Sequence, residues 1–232
     1  MPDAVKPRRS YHSPRRQQQA AATRRGILEA AQRLFDAHGY PATTMEAIAA
    51  EAGVSLKTVY VVFTTKSGLL RALWDLLLKG DQADAGVAER PWYRQVLDEP
   101  DPARQLALNA ANARVVKERI SGVLKVIRSA APTDPDADAL WRLVQSDFYA
   151  NQRVVVESLR AKHALRPGLD VTRAADVLWT LNHPDVWLLL VGERGWTPAE
   201  WERWFLDTAR DQILGTAPSV QDGPHRPTGP TS

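Results

Sequence analysis

Residues 24–70 read RRGILEAAQRLFDAHGYPATTMEAIAAEAGVSLKTVYVVFTTKSGLL, and this stretch decides the fold. Ile27, Ala31, Leu34, Phe35 and His38 recur at helical spacing, and Gly39 follows as the residue that stops the helix. In Thr43-Thr44-Met45-Glu46, Thr at the N-cap with Glu three residues on makes a capping box, each side chain satisfying an orphan backbone N–H. The short helix it opens carries Met45, Ile48, Ala49 and Ala52 on one face and breaks at Gly53. Ser55 caps a third helix holding Val59 and Phe63, and Lys66 leads into a longer fourth with Leu69, Leu70, Leu73, Trp74 and Leu77. From Thr44 to Phe63 the spacing is that of a helix-turn-helix. Ala49 lets the two helices approach, and Gly53 takes a turn conformation costly for other residues. The second helix then presents its N-terminal end and one polar face outward, where it fits a DNA major groove. Short helices joined by Gly are also common core units, so spacing alone leaves both readings open.

Outward from this unit the chain remains helical. The 16 prolines leave long windows free of proline, filled with Ala, Leu, Arg, Glu and Gln, and proline in a helix interior costs about 3 kcal/mol. No Asn-Gly or Asp-Gly separates alternating segments, so hairpins lack their usual signal, and the fold class is all-α. Asp101-Pro102 is an N-cap with proline at the first helical position, opening one or two helices to Ala131. Asp134 to His163 is a long amphipathic helix with Trp141, Val144, Phe148, Val155 and Leu159 on one stripe. Residues 171–191 are apolar on nearly all sides, with a kink or helix start at His183-Pro184. Thr197-Pro198-Ala199-Glu200 is a second capping box, and its helix stops at Gly215. The expected organisation is a disordered basic arm over 1–22, a helix-turn-helix domain over 23–70, a helical effector and dimerisation domain over 71–215, and a disordered tail over 216–232.

Composition narrows the function. Of 232 residues, none is cysteine, which removes disulfide scaffolds and thiol chemistry. The longest apolar run, Val186 to Val191, is far short of the roughly 20 residues of a membrane helix, so a cytoplasmic protein without membrane association is expected. The net charge of +3 hides an asymmetry: residues 1–80 carry 12 Lys+Arg against 6 Asp+Glu, and the rest 18 against 21. A basic N-terminal part suits a polyanion or a solvated tail. The histidines (His12, His38, His163, His183, His225) show no metal-ligand spacing, and no Gly-rich phosphate loop is present, so neither metal, cofactor nor catalysis is expected.

The motifs I-L-x-A-A-x-x-L-F-x-x-x-G-Y, T-T-x-x-x-I-A-x-x-A-G-V-S and T-V-Y-x-x-F-x-x-K-x-x-L-L together make residues 24–70 closely resemble the DNA-binding domain of the TetR/AcrR transcriptional regulators. The resemblance implies a bacterial regulator, in the usual case a repressor released from a palindromic operator by a small molecule; an effector-independent or architectural DNA-binding protein is the alternative. It places Thr44, Thr58, Tyr60 and Lys66 on phosphates and Leu56 and Lys57 on base edges, with Ser55 and Val61 completing the set. Val61 and Val62 depart from the commoner family pattern of a bulky polar or aromatic residue followed by His, which makes part of the reading face apolar. Arg8, Arg9, Arg15, Arg16, Arg24 and Arg25 form an arm that suits either a minor groove or a solubilising role.

In the second half, 7 of the 8 tryptophans lie beyond residue 80. The last two apolar segments suit a homodimer closed as a four-helix bundle through Trp187, Leu190, Trp201, Trp204 and Phe205. Asn109, Asn112, Trp141, Phe148, Tyr149, Asn151, Gln152 and Trp179 combine aromatics and amides in the manner of a ligand pocket, or serve simply as helix packing.

Overall fold

The computed structural model describes residues 14–79 and 87–215. Helix α1 (Pro14–Ala42) is followed by α2 (Met45–Glu51), α3 (Leu56–Phe63) and α4 (Lys66–Lys79). After a 3-10 turn (Val87–Glu89) come α5 (Pro91–Asp98), α6 (Pro102–Ala130), α7 (Pro135–Ala161), α8 (Val171–Leu181), α9 (Pro184–Trp187), a π-helical run (Leu188–Glu193) and α10 (Pro198–Ile213). No strand forms among the described residues; the all-α expectation is met.

The caps explain most boundaries. Ser55 accepts from Thr58 N and starts α3, and Asp101 accepts from Ala103 N at 2.9 Å to start a single unbroken α6. Thr197 and Glu200 form the full reciprocal box that opens α10. The first box is different. Thr44, not Thr43, caps α2, accepting from Ala47 N, so Glu46 stands one position short of closing the box. Thr43 is buried instead, its hydroxyl donating to Gly39 O at 2.8 Å and Leu34 O at 3.2 Å, which staples the α1–α2 corner. Gly39 (φ 73°) and Gly53 (φ 65°) both take the left-handed conformation. Nothing crowds a Cβ at Gly53, so the demand there is conformational alone. Gly53→Ala is expected to lower stability by about 1 kcal/mol, read from urea midpoints; an unchanged midpoint would show that the turn does not need glycine.

One expectation needs correction. Residues 14–22, read as part of a disordered arm, are helical and lengthen α1; residues 1–13 and 216–232 lie outside the described residues. The apolar stretch 171–191 breaks at His183-Pro184 as expected, and a π-helical run follows α9. Proline at 184 removes an N–H, α8 ends at Leu181, and His183 caps α9 by accepting from Asp185 N at 3.1 Å.

Among the described residues two apolar cores form, and their border crosses α6 and α7 rather than a linker. One joins α1–α4 to Ile120, Leu124 and Ile127 of α6 and Leu140 and Val144 of α7. The other joins Leu106 and Ala110 of α6 and Val155 and Leu159 of α7 to α8, Trp187, Trp201 and Phe205. The N-terminal helices therefore share their core with the C-terminal ones.

Candidate nucleic-acid interface

Helix α3 is short and amphipathic. Val59 and Phe63 are buried and fix its inner face, with Leu56 and Val62 half-buried beside them. At 3.6 residues per turn this leaves Lys57, Tyr60 and Val61 on one outward stripe, all exposed, Tyr60 at 45% and Val61 at 75%. Thr44 and Ser55 are exposed at the N-termini of α2 and α3, where free N–H groups and the helix dipole favour an anion. Thr58 is half-buried, and its hydroxyl lies 2.8 Å from that of Ser55. From α1, Arg24 lays its guanidinium over the Phe63 ring at 4.5 Å, tying α1 to the end of α3, and Arg15 and Arg16 are exposed at the start of α1.

Lys66 is held differently from its phosphate-facing expectation. Its ammonium donates to Tyr40 O at 2.8 Å and Thr43 O at 3.0 Å and sits 4.1 Å from the Tyr40 ring centroid. Burial pushes its pKa down, against the pull of Asp134. It closes the corner between α1 and α2. Nothing in the motif reveals which carbonyls lie opposite it.

The same corner is bolted to the rest of the molecule. Tyr40 donates its hydroxyl to Asp134 at 2.6 Å, and Asp134 is also the N-cap of α7. That hydrogen bond holds the Asp134 carboxyl below its ordinary value. Ser67 at the start of α4 donates to Asp136 at 2.9 Å. At the other end of α4, Arg119 of α6 donates to Leu77 O at 2.5 Å and Leu78 O at 2.8 Å, satisfying terminal carbonyls. Both ends of α4 are thus fastened to C-terminal helices.

Behind α4 lies a recess of about 540 Å³, counting its mouth. It brings together Asn109, Asn112, Phe148, Asn151 and Gln152 from the expected set, with Trp92 and Tyr93 of α5 and Asn182. Asn109 donates to Gln152 at 3.3 Å, Asn112 to Trp92 O at 3.0 Å, and Tyr93 to Asn151 O at 3.0 Å. Trp141, Tyr149 and Trp179 are not in it. They pack edge-on: Trp141 and Trp179 against His183 at 6.2 and 4.9 Å, and Tyr149 against Trp179 at 6.1 Å. Desolvation there pushes the His183 pKa down.

Lys117 was missed by sequence reasoning. It is fully buried beside the recess, and its signal was a lone charge in the α6 row Leu106, Ala110, Ile120, Leu124.

The dimer candidates also divide. Trp187, Trp201 and Phe205 are buried within the protomer, Trp201 meeting Trp187 at 5.0 Å and Phe205 at 5.1 Å. They are core, because α10 turns its aromatic face onto α6 and α8 of its own chain. Leu190 and Trp204 stay partly exposed, next to Leu189 at 50% exposure.

Among the described residues no group of three or more His, Asp and Glu gathers as a metal site, and no helix is long and apolar enough to cross a membrane.

Comparison with known proteins agrees with this geometry. Residues 27–73 match the family model described as bacterial regulatory proteins, tetR family. The chain is 30% identical over 186 residues to the probable HTH-type transcriptional regulator ArpR of Pseudomonas putida, covering 76% of this chain and 85% of that one. It is 29% identical over 186 residues, with the same coverage, to the HTH-type transcriptional regulator TtgR, also of Pseudomonas putida. Among solved structures, the SmeT–triclosan complex superposes with a TM-score of 0.67 at 20% identity, covering 89% of this chain and 100% of that one. With an outward α3 stripe set on a Gly53 turn, a matching family model and a relative aligned over most of both chains, the chain belongs to the tetR family of bacterial regulatory proteins and is a DNA-binding transcriptional regulator.

Proposed function

We propose that the protein is a homodimeric repressor that grips a palindromic operator with two α3 helices and lets go when a small molecule fills the recess behind α4. The observation that carries this reading is the position of α4. Its N-terminal half packs with α1 and α3, while Leu78 near its C-terminus lines the recess and is held by Arg119. A ligand that shifts Leu78 moves a rigid helix whose other end is Lys66 and Ser67, bonded to the α1–α2 corner and to α7. Coupling requires the ligand to favour one of two arrangements of that helix, and a helix fastened at both ends supplies such an element.

On the DNA, Lys57 suits guanine O6/N7, Leu56 and Val61 suit thymine methyls, and Thr44, Ser55, Thr58 and Tyr60 suit phosphates. The two heads would sit about 34 Å apart. The outward patch of Leu189, Leu190 and Trp204 is the remaining dimer surface; no catalytic role is assigned, and the cytoplasm is where such a regulator meets DNA.

Lys66 in this reading clamps the corner rather than contacting phosphate directly. Lys66→Ala should lower the thermal midpoint while leaving the salt slope of DNA binding unchanged; a slope reduced by about one would return Lys66 to the phosphate contacts. Selection of bound genomic fragments by the purified protein, with and without candidate metabolites, tests the reading as a whole. A palindromic consensus released by some metabolite supports it. A consensus that no metabolite releases favours effector-independent binding.

A further inference from the structure

Lys117 is the buried charge that the regulator reading leaves without a task. It lies on α6 one turn beyond Ala113, which lines the recess, and its side chain is wholly buried. Its Nζ donates to Asn182 O at 2.7 Å and stands 4.7 Å from the Phe148 ring centroid and 5.7 Å from that of Trp201. Asn182 and Phe148 are both walls of the recess, so the amine lies against the far side of two of its walls.

No carboxylate among the described residues reaches ion-pair distance of Lys117. Its neighbours' charges are committed elsewhere. Arg114 of α6 takes Glu118 at 3.0 Å and Glu202 of α10 at 2.5 Å. Asp185 of α9 pairs with Arg128 at 3.0 Å and faces His183. Asp147 of α7 feels Arg71 and Asp75. Among the described residues the recess is lined by amides, aromatics and aliphatics, with no charged side chain. A buried amine with one acceptor and no counter-charge is costly to keep protonated, and an incoming anion would supply the missing counter-charge.

We propose that this recess binds a small aromatic carboxylate, its ring between Trp92, Tyr93 and Phe148 and its negative group paired with Lys117. The proposal rests on the recess being the effector site and adds the chemical class. Asn182 supplies a second contact: its carboxamide is 4% exposed with an oxygen that has no partner, and a half-turn brings its N–H groups to the same place. Desolvation pushes Lys117 down to about 7, so near pH 8 the amine is mostly neutral before binding. An anion beside it restores the ammonium, and the proton comes from solvent. A cationic ligand would hold Lys117 in its neutral form and gain no ion pair with it, so the charge of Lys117 favours the anion.

The test uses benzoate, benzamide and benzylamine, which share a ring and differ in head-group charge, titrated calorimetrically into the full chain at pH 8 in buffers of different ionisation enthalpy. Benzoate should bind about tenfold or more tighter than benzamide, with benzylamine weakest, and take up close to one proton. Lys117→Met and Lys117→Gln, each checked for native circular dichroism, should bind benzoate no better than benzamide and take up no proton. Benzamide binding within about threefold of benzoate, proton uptake that survives both substitutions, or no binding by any of the three would overturn the proposal. Operator release is scored separately. Charge-blind binding that releases DNA leaves the effector reading standing without this one, and Lys117-dependent binding of benzoate that never releases DNA does the reverse.

Discussion

Lys117→Met is expected to make the folded chain more stable near neutral pH, by about 1–3 kcal/mol, and to reduce the rise in stability expected of the unaltered protein from pH 7 to pH 9. The sign follows from burial. The amine titrates near 7 when folded and near its ordinary 10.5 when unfolded. Between those values the unfolded chain holds a proton that the folded chain does not. Stability therefore climbs with pH by at most about 1.4 kcal/mol per unit, and the penalty is complete at and below the folded value. The substitution deletes that penalty and forfeits only the bond to Asn182 O, worth about 1 kcal/mol. Other shifted groups stay outside the window or cancel. Tyr93, pushed up to about 12 by burial, acts above pH 10, where it lowers stability as the unfolded tyrosine ionises first. His183, pushed down, acts below its ordinary 6.5. Lys66 and Lys162, both lowered by burial, are present in both proteins. Urea unfolding at pH 7, 8 and 9 is the measurement, and parallel slopes for the two proteins would mean that Lys117 keeps its proton in the folded state.

Lys57→Ala should cost about 1–3 kcal/mol of operator affinity, and the loss should concentrate at one base pair of each half-site. Lys57 is fully outward on α3, makes no hydrogen bond or ion pair with the described residues, and stands on the stripe with Tyr60 and Val61. Removing it should leave folding untouched, since the inner face of α3 is Val59 and Phe63. Tyr60→Phe removes only a hydroxyl, which on the proposed reading meets the DNA backbone, so its loss should be smaller and the same on every operator variant. Gel-shift titration against a set of single-base operator variants separates the two. A uniform loss for Lys57→Ala would move it from base reading to phosphate contact, and identical profiles for both variants would undo the division of roles.

The reading head was legible because its signals are local. Ser55, Gly53 and the apolar spacing of Met45, Ile48, Val59 and Phe63 act within a few residues of one another, and each met its expected place. Thr43 and Thr44 show where local reasoning stops. Two adjacent threonines offer the same capping chemistry, and only the carbonyls of Leu34 and Gly39 decided which one turned inward. Lys66 shows the same limit: the Tyr40 and Thr43 carbonyls that hold it come from more than 20 residues upstream.

The second half was legible only as helices. Its aromatics followed one apolar pattern in the sequence, yet they serve three purposes: Phe148 lines the recess, Trp141 and Trp179 enclose His183, and Trp187, Trp201 and Phe205 fill the core. Periodicity reveals that a side chain is buried but not what it is buried against, because the partner is set by how helices cross.

By itself, the sequence determined an all-α chain, the helix-turn-helix at Thr44 to Phe63 and the side of α3 that faces outward, since propensity, capping and spacing act between near neighbours. Only the tertiary structure decided that Lys66 donates to the carbonyls of the α1–α2 corner, that α4 is fastened at both ends, and that a lysine with no ion-pair partner among the described residues is buried beside an aromatic recess. Those facts depend on hydrogen bonds and desolvation between residues brought together from distant helices, and no local pattern encodes them.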